Sequence, residues 1–478
     1  MDSLKIQLFN TETRKKELLQ PIHEGRVRMY TCGPTVYNFA HIGNFRAYIF
    51  EDLLRRTLKY FGYKVDQVMN LTDVDDKTIR GANAQGITLD EYTSTYIKAF
   101  FEDLATLNIE KVEHNPAATA YIPSMIAMIQ KLMDKGMAYR GHDESIYFPI
   151  KQFPRYGCLS HLKLDELQVG ASQRVSADEY DKENIADFVL WKHYDPERDG
   201  TIFWESPFGP GRPGWHIECS AMAMELLGET IDIHCGGVDN MFPHHENEIA
   251  QSESFSGHRF VNLWLHCEHL LVENKKMSKS AGNFYTLRDL LAKGFSGKEV
   301  RYMLLQTHYK TQLNFTFPGL EGTRSSIHRL NAFIRRLQEV AQSPDHAKSK
   351  GAFSEWLELM QSKFDESLAD DLNISAALGA IFDFVREGNT ACDAGSVHPD
   401  EAKEGLEAFR KINTVLGALE GLEEQSTVPP ELLKLLDERK AARANKEWAR
   451  ADQIRDQITS QGYVIEDTPL GARLVKKD

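Results

Sequence analysis

Two stretches far apart in this chain each read as half of a parallel sheet, and a fold that must join them leaves few architectures open. The first holds an apolar run ending at Cys32, the tetrad His41-Ile42-Gly43-Asn44, and a helical pattern with Phe45, Ile49 and Leu53 on one row and Phe50, Leu54, Leu58 and Phe61 on another. Past Gly62 comes the β-branched stretch Val65 to Leu71, so the whole reads strand, helix, strand. In the second stretch the strand signal returns at Ile231 and Ile233 and closes on Gly236-Gly237. A further apolar run, Phe260 to Val272, leads into Lys276-Met277-Ser278-Lys279-Ser280. This order predicts an α/β fold: a split Rossmann-like parallel sheet with an inserted mixed domain, followed by a helical domain and a small C-terminal α+β domain. Ligands of such a sheet sit beyond the carboxyl ends of its strands.

The 478 residues exceed one ordinary core. The predicted division is 1–120 for the first half of the sheet domain, 121–225 for the insertion, and 226–265 for the second half. A region carrying the lysine motif at 266–317, a helical domain at 318–422 and a C-terminal domain at 431–478 complete it. Polar linkers at Gln342 to Gly351 and Glu423 to Pro430 separate the later pieces. The stretch Glu431 to Gln461 reads as helical, and Tyr463-Val464-Ile465 with Arg473-Leu474-Val475 as a hairpin.

A net charge of −14 argues against a generally basic nucleic-acid binder. The residues from Glu431 onward hold ten Lys and Arg against nine Asp and Glu, so that segment is near neutral and permits RNA contact. Six cysteines in so long a chain are not a disulfide framework, and nothing near Met1 resembles an export signal, which predicts a cytoplasmic protein. No stretch of about 18 uninterrupted apolar residues predicts a transmembrane span.

A helix starting near Gly43 offers free N–H groups and a positive dipole end to an anion, with no side chain at Gly43 to hold a nucleotide off. The lysine motif adds two ammonium groups and two hydroxyls, enough to hold a polyphosphate while its charge rearranges. Cys32, Cys219, His244 and Glu248 form a second set. His244 and Glu248 lie four apart just after Pro243, so on a helix they share a face. Two soft sulfurs, an imidazole and a carboxylate suit Zn²⁺. The spacing leaves a second reading open, in which the cysteines are buried thiols and His244 and Glu248 face solvent. His245-Glu246 does not begin a zincin motif, because Ile249 stands where the second histidine is required.

The two motifs resemble the paired signatures of class I aminoacyl-tRNA synthetases. Tyr30 to Tyr37, Asn70 to Lys77, Gly211 to Met222 and Phe242 to Glu248 are similar to the cysteinyl-tRNA synthetase family, nearly end to end. The resemblance implies a cysteine–tRNA ligase that activates L-cysteine with ATP and Mg²⁺ and transfers it to tRNA(Cys). It implies one Zn²⁺ held by Cys32, Cys219, His244 and Glu248, with His216, His234, His245, His266, Cys267 and His269 structural or supporting. His41, Gly43, Asn44, Lys276 and Lys279 take the catalytic role, Gly236, Gly237 and Asp239 the adenosine, and Thr72, Trp215 and His234 the amino acid. For Asp239 alone, a helix N-cap is the competing reading. The region 266–317 is then the stem-contact region and 431–478 the anticodon-binding domain, with Arg443, Trp448, Asp452 and Asp467 facing RNA; the alternative for Trp448 is inward packing on an amphipathic helix. The fourth residue of the first motif departs from the family's histidine and is Asn44, which donates a hydrogen bond but carries no charge. A monomer is expected.

Two rivals share these residues. A ligase passing cysteine to an amino sugar needs no C-terminal tail, which this chain has, and a silent RNA-binding relative does not need His41, Lys276 and Lys279.

Overall fold

The computed structural model describes residues 4–162, 187–278, 282–343, 351–422, 429–445, 447–468 and 471–476. Strands β1 (Arg26–Thr31), β2 (Lys64–Met69), β3 (Ile231–Gly237) and β4 (Val261–Cys267) form one sheet in the order β4-β3-β1-β2. Every neighbouring pair is parallel. The two halves of the chain join at its middle, where Met29, Tyr30 and Thr31 of β1 face Ile233, His234 and Cys235 of β3. Chain direction away from the sheet reverses between these two strands, which opens a crevice beyond Thr31 and Gly237. Sheets buried on both faces need apolar residues at successive positions, and Val27, Met29, Tyr30, Ile231, Ile233, Leu263 and Leu265 are all buried.

Helix α1 (Ile42–Tyr60) connects β1 to β2. Its sequence shows two apolar rows, yet the helix is buried nearly all round, charged residues included. Arg56 and Arg301 both pair with Asp52, while Arg55 reaches Glu110 and Glu113, so most of its buried charges have partners.

The insertion is an antiparallel sheet of Tyr139–Arg140, Ile146–Phe148, Phe188–His193 and Gly211–Pro213, in that order. Phe148, Phe188 and Trp191 join Met125 and Ile129 of the helix Ile122–Asp134, together with Val68, Ile217 and Trp264, in one continuous core. The insertion is therefore anchored on the parallel sheet, and helix α2 (Trp215–Leu227) leads the chain back into β3. After β4 and helix α3 (Glu246–Ser256), Leu270–Val272 pairs antiparallel with Lys275–Lys276 and parallel with Leu313–Phe315. Four helices follow, Phe317–Gln342, Ala352–Ala369, Ile374–Asp393 and Pro399–Leu416.

The chain divides into two compact units, Met1–Leu419 and Glu420–Asp478. In the second, the stretch Glu431 to Gln461 is helical as expected and consists of two helices, Pro430–Ala444 and Trp448–Ser460. The break has a local cause: Asn445 caps the first helix, and the Glu447 N–H turns back to the Ala442 carbonyl at 2.8 Å. Leu432, Ile454 and Ile458 form this unit's own core with Tyr463 and Ile465 of the hairpin Tyr463–Thr468/Gly471–Lys476. Among the described residues, no helix is long and apolar enough to cross a membrane.

Candidate active site

The two motifs meet. His41 and Thr286 form a β-bridge, the Ile42 N–H donates to the Tyr285 carbonyl at 3.0 Å, and the His41 ring meets Phe284 edge-on at 5.1 Å. His41 caps α1 reciprocally: its Nδ1 accepts from the Asn44 N–H and Asn44 Oδ1 accepts from the His41 N–H, both at 3.1 Å. This is a capping box built from histidine and asparagine, and it fixes the imidazole at the positive end of the helix. A Cβ at Gly43 would come within 3.1 Å of the His41 ring and of Met277, so the glycine lets the two motifs approach each other.

His41, Gly43, Asn44 and Lys276 line one cleft of about 1550 Å³ together with Cys32, Gly237 and Asp239. Lys276 is exposed, and its carbonyl accepts from Asn283 Nδ2 at 3.1 Å, whose Oδ1 accepts from the Ser278 N–H at 2.9 Å. Lys279 lies outside the described residues. Of the two glycines at the end of β3, Gly237 lines the cleft, whereas Gly236 gives room to His245, whose ring carbon would sit 2.8 Å from a Cβ there. Asp239 belongs to the short turn Val238–Asn240, whose N-cap is Gly237, so the N-cap reading of Asp239 does not hold. Its carboxylate is 3.3 Å from His269 Nδ1.

Cys32, in the cleft wall, begins a cluster that forms the inner end of the site: one ligand atom each from Cys32, Cys219, His244 and Glu248 lies within 4.8 Å of the others. Three of the four residues are buried and Cys32 is half-buried. The reading with His244 and Glu248 in solvent is thereby overturned, because Phe242 leaves helical geometry (φ −137°, ψ 129°) and turns the segment inward before α3 begins at Glu246. Cys32 stands just past the end of β1, where Gly33 crosses Asn70 so closely that a Cβ would fall 1.6 Å from the Asn70 carbonyl oxygen. His244 Nε2 and Glu248 Oε1 are 3.1 Å apart, yet neither has a hydrogen-bond partner. Two buried polar atoms facing each other without a bond are costly unless a cation lies between them.

The surroundings fix the donors. His234 Nε2 lies 3.0 Å from Glu248 Oε2, His216 Nδ1 lies 2.9 Å from His244 Nδ1, and Trp215 stacks on His244 with centroids 4.0 Å apart. The Thr72 hydroxyl donates to Glu218 at 3.0 Å. Burial, then Cys219 nearby, pushes the Cys32 thiol well up; burial pushes the Glu248 carboxyl well up and the His244 imidazole well down. Burial thus disfavours the charged form of each group, and a divalent cation reverses that by favouring thiolate and carboxylate. An overlapping set, Cys32, His234, His245 and Glu248, meets the same distance limit, with His245 Nε2 3.2 Å from the Cys32 sulfur. The two-thiol set contains the unpartnered pair and the softer donors, which fits zinc better.

Sequence reasoning missed Arg46 and Glu51, which also line the cleft. Arg46 is buried, with its guanidinium on the carbonyls of Leu304 and His308 (2.5 and 2.9 Å). It shares the row of Phe50 and Leu54, so a charge on an apolar row was the available signal. Glu51 has both carboxyl oxygens buried without a partner, and burial pushes its carboxyl well up. In the second unit Trp448 is 59% exposed, contrary to the inward-packing alternative, and Asp452 pairs with Arg455 at 3.3 Å. Arg443 is exposed near the end of the first helix, and Asp467 lies on the hairpin opposite Ala472.

Solved structures share this architecture. Mycobacterium tuberculosis methionyl-tRNA synthetase in complex with methionyl-adenylate is 15% identical, with a TM-score of 0.62 over 82% of this chain and 92% of that one. The agnB2 LeuRS–tRNA–LeuAMS ternary complex of Agrobacterium radiobacter K84 is 12% identical, with a TM-score of 0.61 over 86% of each. Fold and motif geometry together define a class I aminoacyl-tRNA synthetase.

The family models narrow this further: the class I (C) tRNA synthetase catalytic domain matches residues 18–325, the DALR domain 363–420, and the cysteinyl-tRNA ligase anticodon binding domain 426–473. The cysteine–tRNA ligase of Protochlamydia amoebophila (strain UWE25) is 61% identical over 477 residues, covering 100% of this chain and 99% of that one. That of Chlamydia felis (strain Fe/C-56) is 55% identical over 475 residues, covering 99% and 98%. The chain belongs to the cysteine–tRNA ligase family.

Proposed function

We propose that this chain activates L-cysteine with ATP and transfers it to the 3′ end of tRNA(Cys), with one zinc ion selecting the cysteine thiol. The observation that carries the reading is the buried set Cys32, Cys219, His244 and Glu248 at the inner end of the cleft that both motifs line. Size alone separates ligands by roughly 10- to 200-fold per methylene, and serine differs from cysteine only by oxygen for sulfur. When bound, zinc supplies a Lewis acid that prefers thiolate to hydroxyl. The described part of the insertion is one small sheet anchored on the main core, consistent with selection by metal rather than by a separate editing site.

The chain's own residues do the rest. Cys32, Cys219, His244 and Glu248 hold the ion, His234 orients the Glu248 carboxylate, and Thr72 and Trp215 border the amino acid. A carboxylate oxygen of cysteine attacks the α-phosphorus of ATP, the bond to the β-phosphate oxygen breaks, and pyrophosphate leaves with Mg²⁺. His41, the N–H groups opening α1, Lys276 and Lys279 meet the charge that develops on the phosphoryl oxygens. Gly237 and Asp239 border the adenosine. A ribose hydroxyl of the terminal adenosine then attacks the carbonyl carbon and AMP leaves. The anticodon-binding match over 426–473 favours tRNA over an amino sugar as acceptor; Arg443, Trp448, Asp452 and Asp467 are the residues proposed to face the anticodon, and the protein acts as a monomer.

Purified protein should catalyse cysteine-dependent pyrophosphate exchange, reject serine, and charge tRNA(Cys). Exchange that proceeds equally with serine, or exchange without charging, would overturn the reading.

A further inference from the structure

Resting on that reading, we propose that Tyr37 and Phe39, with Lys77 and Arg288 at their ring faces, form a platform that receives the unpaired 3′ end of the acceptor RNA at the mouth of the cleft. Few large aromatic side chains among the described residues are exposed, and Tyr37 and Phe39, at 36% and 38%, are two of them. They lie on the short segment between Thr35 and His41, both of which line the cleft, so the segment that carries the exposed rings begins and ends in its wall.

The backbone of this segment and the Phe39 ring are held in place. The Val36 N–H donates to the Thr72 carbonyl at 3.1 Å, the Tyr92 hydroxyl donates to the Tyr37 carbonyl at 2.9 Å, and Phe39 meets Tyr96 edge-on at 5.5 Å. A fixed exposed ring costs little further entropy when something stacks on it. Each ring also carries a cation: Lys77 Nζ lies 5.1 Å from the Tyr37 centroid, and the Arg288 guanidinium 5.1 Å from that of Phe39. Arg288 comes from the helix Leu287–Ala292 just after the lysine motif and is steadied by Glu102 at 2.9 Å and Asp103 at 3.2 Å. The patch thus joins both motif segments.

Alternating aromatic faces and cations suit a single strand, whose bases stack while its phosphates meet the charges. Transfer requires the terminal adenosine to enter the cleft, so the nucleotides before it must cross its mouth. A duplex, with its bases already stacked on one another, has no use for these rings.

The test uses full-length protein carrying Tyr37→Ala, Phe39→Ala, both, and the conservative Phe39→Trp. Cysteine-dependent pyrophosphate exchange should stay within about twofold of wild type, while kcat/KM for tRNA falls about tenfold or more in the double variant and recovers with Phe39→Trp. Wild type should bind intact tRNA more tightly than tRNA trimmed of its unpaired 3′ nucleotides, and the double variant should bind the two equally. Lys77→Gln should reduce the salt dependence of binding by about one unit of log–log slope. A double variant that still prefers intact tRNA overturns the proposal, as does a parallel loss of exchange and charging, which would make the rings a support for His41. If wild type shows no cysteine-dependent exchange, the reading of the reaction fails, but the comparison of intact with trimmed tRNA still decides the platform.

Discussion

The two ends of the cleft are built on opposite principles. At the inner end three of the four donors are buried and the set is incompletely bonded, with His244 Nε2 and Glu248 Oε1 facing each other unpartnered. At the motif end, His41 and Asn44 satisfy each other's backbone N–H groups and Lys276 is exposed. Buried, unpartnered donors suit a permanent occupant such as the zinc ion proposed above. The motif end meets a substrate that comes and goes, and its parts are stable alone. The inner end therefore ties ligand binding to the integrity of the fold, and the motif end does not.

The largest effect that would sharpen this contrast comes from Cys219→Ser. The expected result is loss of the metal beyond the roughly 10- to 100-fold that outer-shell changes cost, with cysteine activation collapsing while the KM for ATP stays within about threefold. Metal content and exchange kinetics measure both. Full metal occupancy in this variant would mean that the ion sits in the overlapping set with His234 and His245. Lys276→Ala comes next: about a tenfold to hundredfold lower rate of adenylate formation, with stability changed by less than about 0.5 kcal/mol. Single-turnover kinetics and denaturant unfolding check it, and a large stability loss would break the contrast.

Much of this was readable from residues. The parallel unit Val27 to Met69 follows from β-branched runs around a helix with a capped start, and the return at Ile231 follows from the same pattern. The pairing of β1 with β3 was legible only as a consequence of splitting a sheet. The burial of His244 and Glu248 was not legible, because i,i+4 spacing shows a shared face without showing which way it points; the turn at Phe242 decides that. Nor was the break at Asn445, since a single asparagine in an otherwise helical polar stretch is a weak stop signal. Arg46 and Glu51 escaped notice because a helix buried on all sides gives its charged residues the look of a solvent face.

Acid should test the buried histidines around the inner end, where His266 Nε2 lies 2.9 Å from His245 Nδ1. Burial, with His234 nearby, lowers the His266 imidazole to about 3, below its ordinary value of 6.5. Because the folded value is the lower one, unfolding takes up a proton, so this contribution is complete above pH 6.5 and drains away as pH falls toward 3. The slope from this one group is at most about 1.4 kcal/mol per pH unit. The pH dependence of denaturant unfolding between pH 7 and 4 should be shallower in His266→Gln than in wild type by up to that slope, the rest of the wild-type slope coming from buried imidazoles such as His216 and His234, which burial also lowers to about 3. Equal slopes would place the acid sensitivity elsewhere.

The smallest effect concerns Asn44, where the chain departs from its family's usual histidine. Its Oδ1 accepts from the His41 N–H while its own N–H donates to His41 Nδ1, so the two residues form a closed pair at the start of α1. Asn44→Ala removes one of those bonds and should cost about 1 kcal/mol of stability, in the range of other caps. It should also release the imidazole from its fixed angle, lowering the exchange rate a few-fold. Asn44→His restores an acceptor through Nδ1 and should keep most of both, because at pH 7 a free imidazole is mostly neutral. Measuring the two variants together separates the roles: if alanine and histidine slow exchange equally while stability differs, Asn44 acts on exchange apart from the cap. If activity follows the cap, the motif end does depend on fixed geometry, and the contrast with the inner end narrows to burial.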